Sequence, residues 1–413
     1  PNHNVMLVVD EAHHIKNTQG GIHASSVLEI APYGDSRVIL TGTPAPNGFQ
    51  DLFNLFKFIW PNRHLLGFSL NNLKDMNENP NDRRIEQLVD NIKPFFIRTK
   101  KKDLELPAPI DNDPLKIEMG EHQRLIYDSL SSLYESSLRS YVSENEDSDE
   151  DIDVFIKAKI IRLRQAATNP NLLLKAIPSS SLNSIPDDIE GLMVNDLNLF
   201  SQIQSYQKNE RVPAKFNAVL SIVKKILRSN EKVIIWANFI DNINLLSNVL
   251  SSNDIPSRIL MGSTPTQNEN HTPYEISLTR EGIINEFHEE DSRFSVLIAN
   301  PAAVGESISL HKAPCRNAIY LERDYNAASF LQSKDRIHRV GLPDDAVVNY
   351  YYIESANSID QVIDEQLRIK ERRLLDIIDD HDLPIFNIGE EWGSKDFSYL
   401  DLKAMVDSYV SSK

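Results

Sequence analysis

Two kinds of apolar pattern alternate along the chain. Short runs rich in aliphatic and aromatic residues at 4–9, 36–40, 232–237, 294–299, 317–321 and 347–353 have the pattern of strands in a parallel sheet, a buried one at 4–9. Between them, apolar residues recur at three- and four-residue spacing, as in 50–60 (Leu52, Phe53, Leu55, Phe56, Ile59) and 358–378 (Ile359, Ile363, Leu367, Leu374, Ile378). That spacing predicts helices there, and also at 214–229, 240–250 and up to about His288. Strands alternating with helices predict an α/β fold whose parallel sheets are joined by crossovers.

The middle of the chain breaks this alternation. After a strand at 115–119, residues 121–206 read as mostly helical, with a helix ending before Asn169-Pro170. The helical stretch is interrupted at 144–153, where nine of ten positions are Glu, Asp, Ser or Asn, and mutual repulsion is expected to loop the segment out. Residues 104–114 carry Pro107, Pro109 and Pro114 and predict a linker or domain crossing. Residues 177–198 and the acidic tail have little pattern, and 262–278 read as a polar insertion.

Composition narrows the class. A chain of 413 residues exceeds what one core usually serves, so two or three domains are expected. A formal charge of −17 argues against adhesion to nucleic acid over the whole surface and confines any such contact to a local groove. The single cysteine, Cys315, excludes an internal disulfide and a thiolate metal site, and fits a bacterial cytoplasm or a nucleus. No apolar run approaches the roughly 18 residues that span a bilayer.

Three places carry candidate chemistry. Asp10 and Glu11 follow directly on the strand at 4–9, where ligands of parallel sheets collect. There Asp10 could hold Mg²⁺ through water and Glu11 could orient the water that attacks a γ-phosphate; a turn or helix cap made of acids is the alternative. The second strand runs into Thr41-Gly42-Thr43-Pro44-Ala45-Pro46-Asn47, a tight turn with hydroxyls. Residues 326–341 read as one helix on which Gln332, Arg336 and Arg339 fall at i, i+4 and i+7 and share a face. Paired guanidinium forks suit the charge of a phosphoryl group in transfer, although R-x-x-R alone is more often a solvated basic face. Residues 94–102 join an extended apolar patch to a cationic run that could meet backbone phosphates or be a solvated loop.

Together these blocks resemble the sucrose-nonfermenting (SNF) family of helicase-like DNA translocases, within superfamily two of helicases. Asp10-Glu11-Ala12-His13-His14-Ile15-Lys16-Asn17 is similar to the family's D-E-A-H-x-x-K-N box, and Thr41-Gly42-Thr43-Pro44-x-x-Asn47 to its T-G-T-P-x-x-N turn. Phe96-Ile97-Arg98-Thr99-Lys100 with Leu106-Pro107, and Leu163-Arg164-Gln165 with Asn169-Pro170, match two further blocks in order. Residues 305–310 with Gln332-x-x-x-Arg336-x-His338-Arg339-x-Gly341 look like the ATP face of the second lobe.

The resemblance implies two RecA-like parallel-sheet lobes, the first incomplete, with helical insertions, ATP and Mg²⁺ between them, and double-stranded DNA across the cleft. Residues 1–110 would be the end of the first lobe with a protrusion, 111–206 a helical insertion, 207–357 the second lobe, and 358–413 a brace helix and tail. Asp10, Glu11, Arg336 and Arg339 would be catalytic, Asp10 on the metal and the arginines as fingers. His13, Thr41, Gly305 and Gln332 would face the nucleotide. Lys16, Asn47, Gly262 and Asn300 would lie toward DNA.

There are departures. No Gly-Lys-Ser or Gly-Lys-Thr occurs, so the loop that cradles the β- and γ-phosphates is missing, and residues 301–306 replace a glycine-rich stretch. The chain alone is therefore expected not to hydrolyse ATP, the loop coming from an upstream segment of a longer protein or from a second chain. A non-catalytic DNA- or protein-binding module and a restriction- or defence-associated helicase are the alternatives.

Overall fold

The structure, a computed structural model, describes residues 4–16, 22–41, 49–77, 82–97, 106–143, 150–174, 197–210, 212–267, 272–301, 310–311, 315–324, 327–343, 345–380 and 399–412. The chain forms two compact units, Pro1–Leu104 with Lys370–Ser398, and Glu105–Ile369 with Tyr399–Lys413.

The first unit holds strand β1 (Met6–Val9), helix α1 (Ile22–Ile30), strand β2 (Ser36–Ile39) and helices α2 (Leu52–Ile59), α3 (Leu70–Asn77) and α4 (Arg84–Ile92). β1 and β2 are parallel, with Met6 opposite Ser36 and Val9 opposite Ile39. Leu7, Val9 and Ile39 pack onto a core built by Leu52, Leu55 and Phe56 of α2 with Leu73, Leu88 and Ile92. The expectation of a strand buried on both faces is corrected here, because Met6 and Val8, on the other face of β1, are 59% and 52% exposed. The apolar run arises because alternate residues must serve two faces, and only one of them is covered among the described residues. The patch at 94–97 also differs: Lys93–Phe95 is a 3₁₀ turn, and the extended backbone begins at Phe96.

The second unit opens with two short strands, β3 (Ile110–Asp111) and β4 (Leu115–Ile117). Helices α5 (Glu121–Ser143), α6 (Glu150–Thr168) and α7 (Leu197–Asn209) follow. Then come α8 (Ala214–Arg228), β5 (Lys232–Trp236), α9 (Ile240–Ser251), β6 (Ser257–Leu260), α10 (Pro273–Ser277), α11 (Arg280–His288) and β7 (Val296–Ala299). β8 (Cys315–Tyr320), α12 (Ala327–Lys334), β9 (Asn349–Ser355), α13 (Ile359–Asp380) and α14 (Tyr399–Ser411) complete the chain, α13 entering the first unit at Lys370.

The sheet runs β3-β9-β8-β5-β7-β6 with β4 also on β9, and every pairing is parallel. Successive side chains of β5 point to opposite faces. Val233 and Ile235 meet Phe216, Val219 and Val223 of α8 and Ile243 and Leu246 of α9, whereas Ile234 and Trp236 meet Ile283 and Phe287 of α11 and Phe330 of α12. This is the three-layer α/β arrangement that the alternating pattern predicts.

In four places the local structure adds to or departs from the pattern. Residues 150–153 do not loop out; they lie in the first turn of α6, while 144–149 fall outside the described residues. The proline-rich crossing at 104–114 begins where the two units divide and also supplies β3, whose Ile110 N–H bonds Val348 O at 2.7 Å at the sheet edge. The single helix expected over 326–341 stops at Lys334, and Asp335, Arg336 and Ile337 form turns. The unpatterned tail ends in α14, which buries Met405, Val406 and Tyr409 against α5, with Tyr409 Oη 2.7 Å from Ser131 Oγ.

Candidate functional site

In the first unit, Asp10 and Glu11 form the turn that leaves the carboxyl end of β1. The Asp10 carboxylate is exposed, and its Oδ1 accepts the Glu11 N–H at 2.9 Å. Glu11 sits at φ +48°, a left-handed conformation that side chains with a Cβ seldom adopt. Two cross-strand bonds hold the turn in place: Leu40 N–H donates to Val9 O at 2.8 Å and Ala12 N–H to Leu40 O at 3.0 Å. Ala12 and Ile15 then anchor the 3₁₀ turn Ala12–Ile15 in the core, and Asn54 Nδ2 fixes the Ile15 carbonyl at 3.0 Å. Strain of about 1–3 kcal/mol at such a residue persists only where the surroundings over-determine it.

His13 lies in that turn, but its side chain is outside the described residues, as are Asn47 and Gly305 entirely. Thr41 follows β2, half-buried. Lys16 is also half-buried; burial lowers its pKa, opposed by the charge of Asp51. Asp51, itself buried, was not legible as a site residue, since it opens an ordinary amphipathic helix.

In the second unit the neighbouring carboxyl ends of β5 and β8 form the point where the winding reverses. α9 leaves β5 toward β6 on one face, and α12 leaves β8 toward β9 on the other. Open α/β sheets take their ligands in this crevice. Here protein fills it. Glu322, just past β8, accepts the N–H groups of Asn238 at 2.7 Å and Phe239 at 3.0 Å, and the side-chain amide of Asn242. Asn242 in turn accepts from Asn169 Nδ2 at 2.8 Å, and Arg164 donates to Arg323 O at 2.8 Å while lying over the Phe239 ring. Burial pushes the Glu322 carboxyl pKa up, and these donors oppose the shift. Lys215, 1% exposed, adds an ion pair to Asp360 at 2.5 Å. The end of α6 is thereby sealed onto the sheet.

The three polar residues expected on one helical face are separated. Gln332 is exposed on α12, whereas Arg336 and Arg339 lie in the turns beyond it, the first half-buried and the second exposed. The loop is fixed through its backbone: Leu310 N–H donates to Arg336 O at 2.9 Å. It ends at Gly341, whose φ of +101° only glycine adopts readily and whose α-carbon faces His311. Asn300 N–H bonds Leu260 O at 3.2 Å, and the Asn300 side-chain amide donates to Asn238 O at 2.9 Å. No atom lies within 4 Å of where a Gly262 side chain would start, so packing does not require glycine there.

Residues 2–172 match the SNF2-related domain. The ATP-dependent DNA helicase DDM1 of Arabidopsis thaliana is 24% identical over 369 residues, covering 86% of this chain and 43% of that protein. Over residues 2–172 the chain is thus similar to the SNF2-related, helicase-like family. The uncharacterized ATP-dependent helicase MG018 of Mycoplasma genitalium is 26% identical, covering 86% of this chain and 29% of its own length. The transcription regulatory protein SNF2 of Saccharomyces cerevisiae is 23% identical, covering 88% and 20%. A crystal structure of the C-terminal part of the Fun30 ATPase domain is 21% identical with a TM-score of 0.42, covering 67% of this chain and 99% of that one. The chain spans less than half the length of DDM1, MG018 and SNF2.

Among the described residues, no group of three or more His, Cys, Asp or Glu could hold a metal alone. Mg²⁺ takes one or two carboxylates and completes its shell with water and substrate phosphates, so the exposed Asp10 suits it. Sequence reasoning missed Glu322, although it follows an apolar strand just as Asp10 does; its role required knowing that β5 and β8 are neighbours.

Proposed function

We propose that this chain supplies the acid turn and the arginine loop of an ATP-dependent motor that moves along double-stranded DNA. Asp10 holds Mg²⁺ and Glu11 orients the attacking water, while Arg336 and Arg339 donate to the charge that spreads over the transferred phosphoryl group. Mg²⁺, when bound, neutralises phosphate oxygens. Thr41 and Gln332 contact the nucleotide, and Lys16 lies toward DNA. The observation that carries this reading is the left-handed Glu11 at the carboxyl end of a parallel strand, held there by cross-strand bonds. The names of the relatives, among them an ATP-dependent DNA helicase, support the choice of ATP and DNA. With a net charge of −17, DNA contact is confined to a groove.

Gly-Lys-Ser and Gly-Lys-Thr are absent from the 413 residues, so the phosphate-cradling loop must be supplied from elsewhere for turnover. The test uses protein that includes such a loop. Duplex DNA should stimulate ATP hydrolysis, and the protein should displace a third strand from a triplex without parting a labelled duplex. Hydrolysis indifferent to duplex DNA would overturn the motor reading, and duplex unwinding would replace translocation with strand separation.

A further inference from the structure

The arginine loop is held from outside its own helix, by the segment through which the chain enters the second unit. Lys334, the last residue of α12, is only 8% exposed and lies over the rings of Tyr350 (4.9 Å) and Phe330 (5.4 Å). Its Nζ reaches Asp111 Oδ1 at 2.9 Å and Oδ2 at 3.1 Å. The Tyr352 hydroxyl donates to the same carboxylate, and the Tyr350 hydroxyl donates to the Lys334 carbonyl at 2.9 Å, so both ends of this lysine are fixed. Four residues on, His338 donates from Nε2 to Pro107 O at 2.7 Å. Arg336 stands between these two anchors and Arg339 directly after the second.

Both partners belong to the crossing. Pro107 and Asp111 lie three and seven residues past Leu104, where the first unit ends, and Asp111 is in β3, bonded along β9. Nothing in the arginine loop requires this arrangement for packing. A lysine buried among aromatic rings pays desolvation that a methionine would not, and its ammonium is directed at a carboxylate on the crossing segment.

We infer that Asp111 and the Pro107 carbonyl are positioning groups for Arg336 and Arg339, and that the crossing segment is the element that sets where the arginines point. The inference rests on the reading of those arginines as phosphate-directed. Displacement of residues 106–111 reaches the loop through Lys334 and His338, so the state of the crossing is coupled to the readiness of the arginines.

The test has one arm that does not depend on catalysis. In the full chain, Asp111→Asn and Lys334→Met are each expected to speed amide hydrogen exchange across 335–341 about tenfold, with β5 and β7 unchanged, and the double variant is expected to add little. Asp111→Asn combined with His338→Phe, which removes both anchors, should exceed either single change. Unaltered exchange in all these variants would overturn the inference, and so would equal acceleration in β5 and β7, which marks global loosening. In protein with a complete phosphate loop, Asp111→Asn should lower kcat for ATP while leaving KM within about twofold. A response in exchange without one in kcat keeps the anchoring and removes the motor reading of the arginines instead.

Discussion

The two units treat the carboxyl ends of their strands in opposite ways. In the first, Asp10 beyond β1 is exposed and the backbone at Glu11 is held in an unfavourable conformation. In the second, the acid beyond β8 is buried, and Glu322, Asn242, Asn169 and Arg164 close the crevice that a doubly wound sheet ordinarily offers to a ligand. The same sheet position is exposed in one unit and sealed in the other. The second unit's candidate chemistry is displaced to the loop after α12, where arginines can serve a ligand bound elsewhere but do not enclose one.

The contrast should be visible first in stability. Glu322→Ala strands the Asn238 and Phe239 N–H groups and the Asn242 amide in the interior and is expected to cost about 2–4 kcal/mol. Urea unfolding of the second unit measures this, and a loss under about 1 kcal/mol would mean that water already fills the crevice.

The next effect depends on pH. Burial, together with the Asp364 charge, pushes the Glu354 carboxyl up to about 7 in spite of Arg323 at 2.8 Å. A raised carboxyl favours the fold while it is protonated, so this contribution is complete below about 4.5 and is lost as pH rises through about 7. Glu354→Gln should flatten the stability profile in that window by about 1–2 kcal/mol. A profile unchanged by the substitution would place the titration elsewhere.

The smallest effect has the opposite sign. Glu11→Gly removes the Cβ penalty at φ +48° and should stabilise the first unit by up to about 1 kcal/mol, whereas at Glu322 any truncation destabilises. Thermal unfolding that shows a loss at Glu11 would make that residue structural as well and erase the difference between the units.

How far these features could be read in advance depends on how local they are. The alternation of strand and helix, the acid turn and the helix end at Asn169-Pro170 are properties of neighbouring residues, and each lies where the pattern put it. The length of the helix before the arginines was misjudged because helical spacing of Gln332, Arg336 and Arg339 is equally compatible with a helix followed by turns. What ends that helix is tertiary: Lys334 turns to Asp111, 223 positions away, and Leu310 takes the Arg336 carbonyl. The same holds for the bare face of β1, since an apolar run does not reveal how many of its faces have partners. The seal over the switch point joins residues 73 and 80 positions apart and has no signature in either segment alone.

The most direct measurement is a double-mutant cycle on duplex-stimulated ATP hydrolysis, in protein that includes the phosphate-cradling loop. Glu11→Gln and Arg336→Ala are each expected to lower kcat by at least about 100-fold. Because both groups would act on one phosphoryl transfer, the double variant should lose little more than the worse single one. Hydrolysis near the wild-type rate in either single variant, or losses that multiply in the double, would contradict a single nucleotide site served by the acid turn of one unit and the arginine loop of the other.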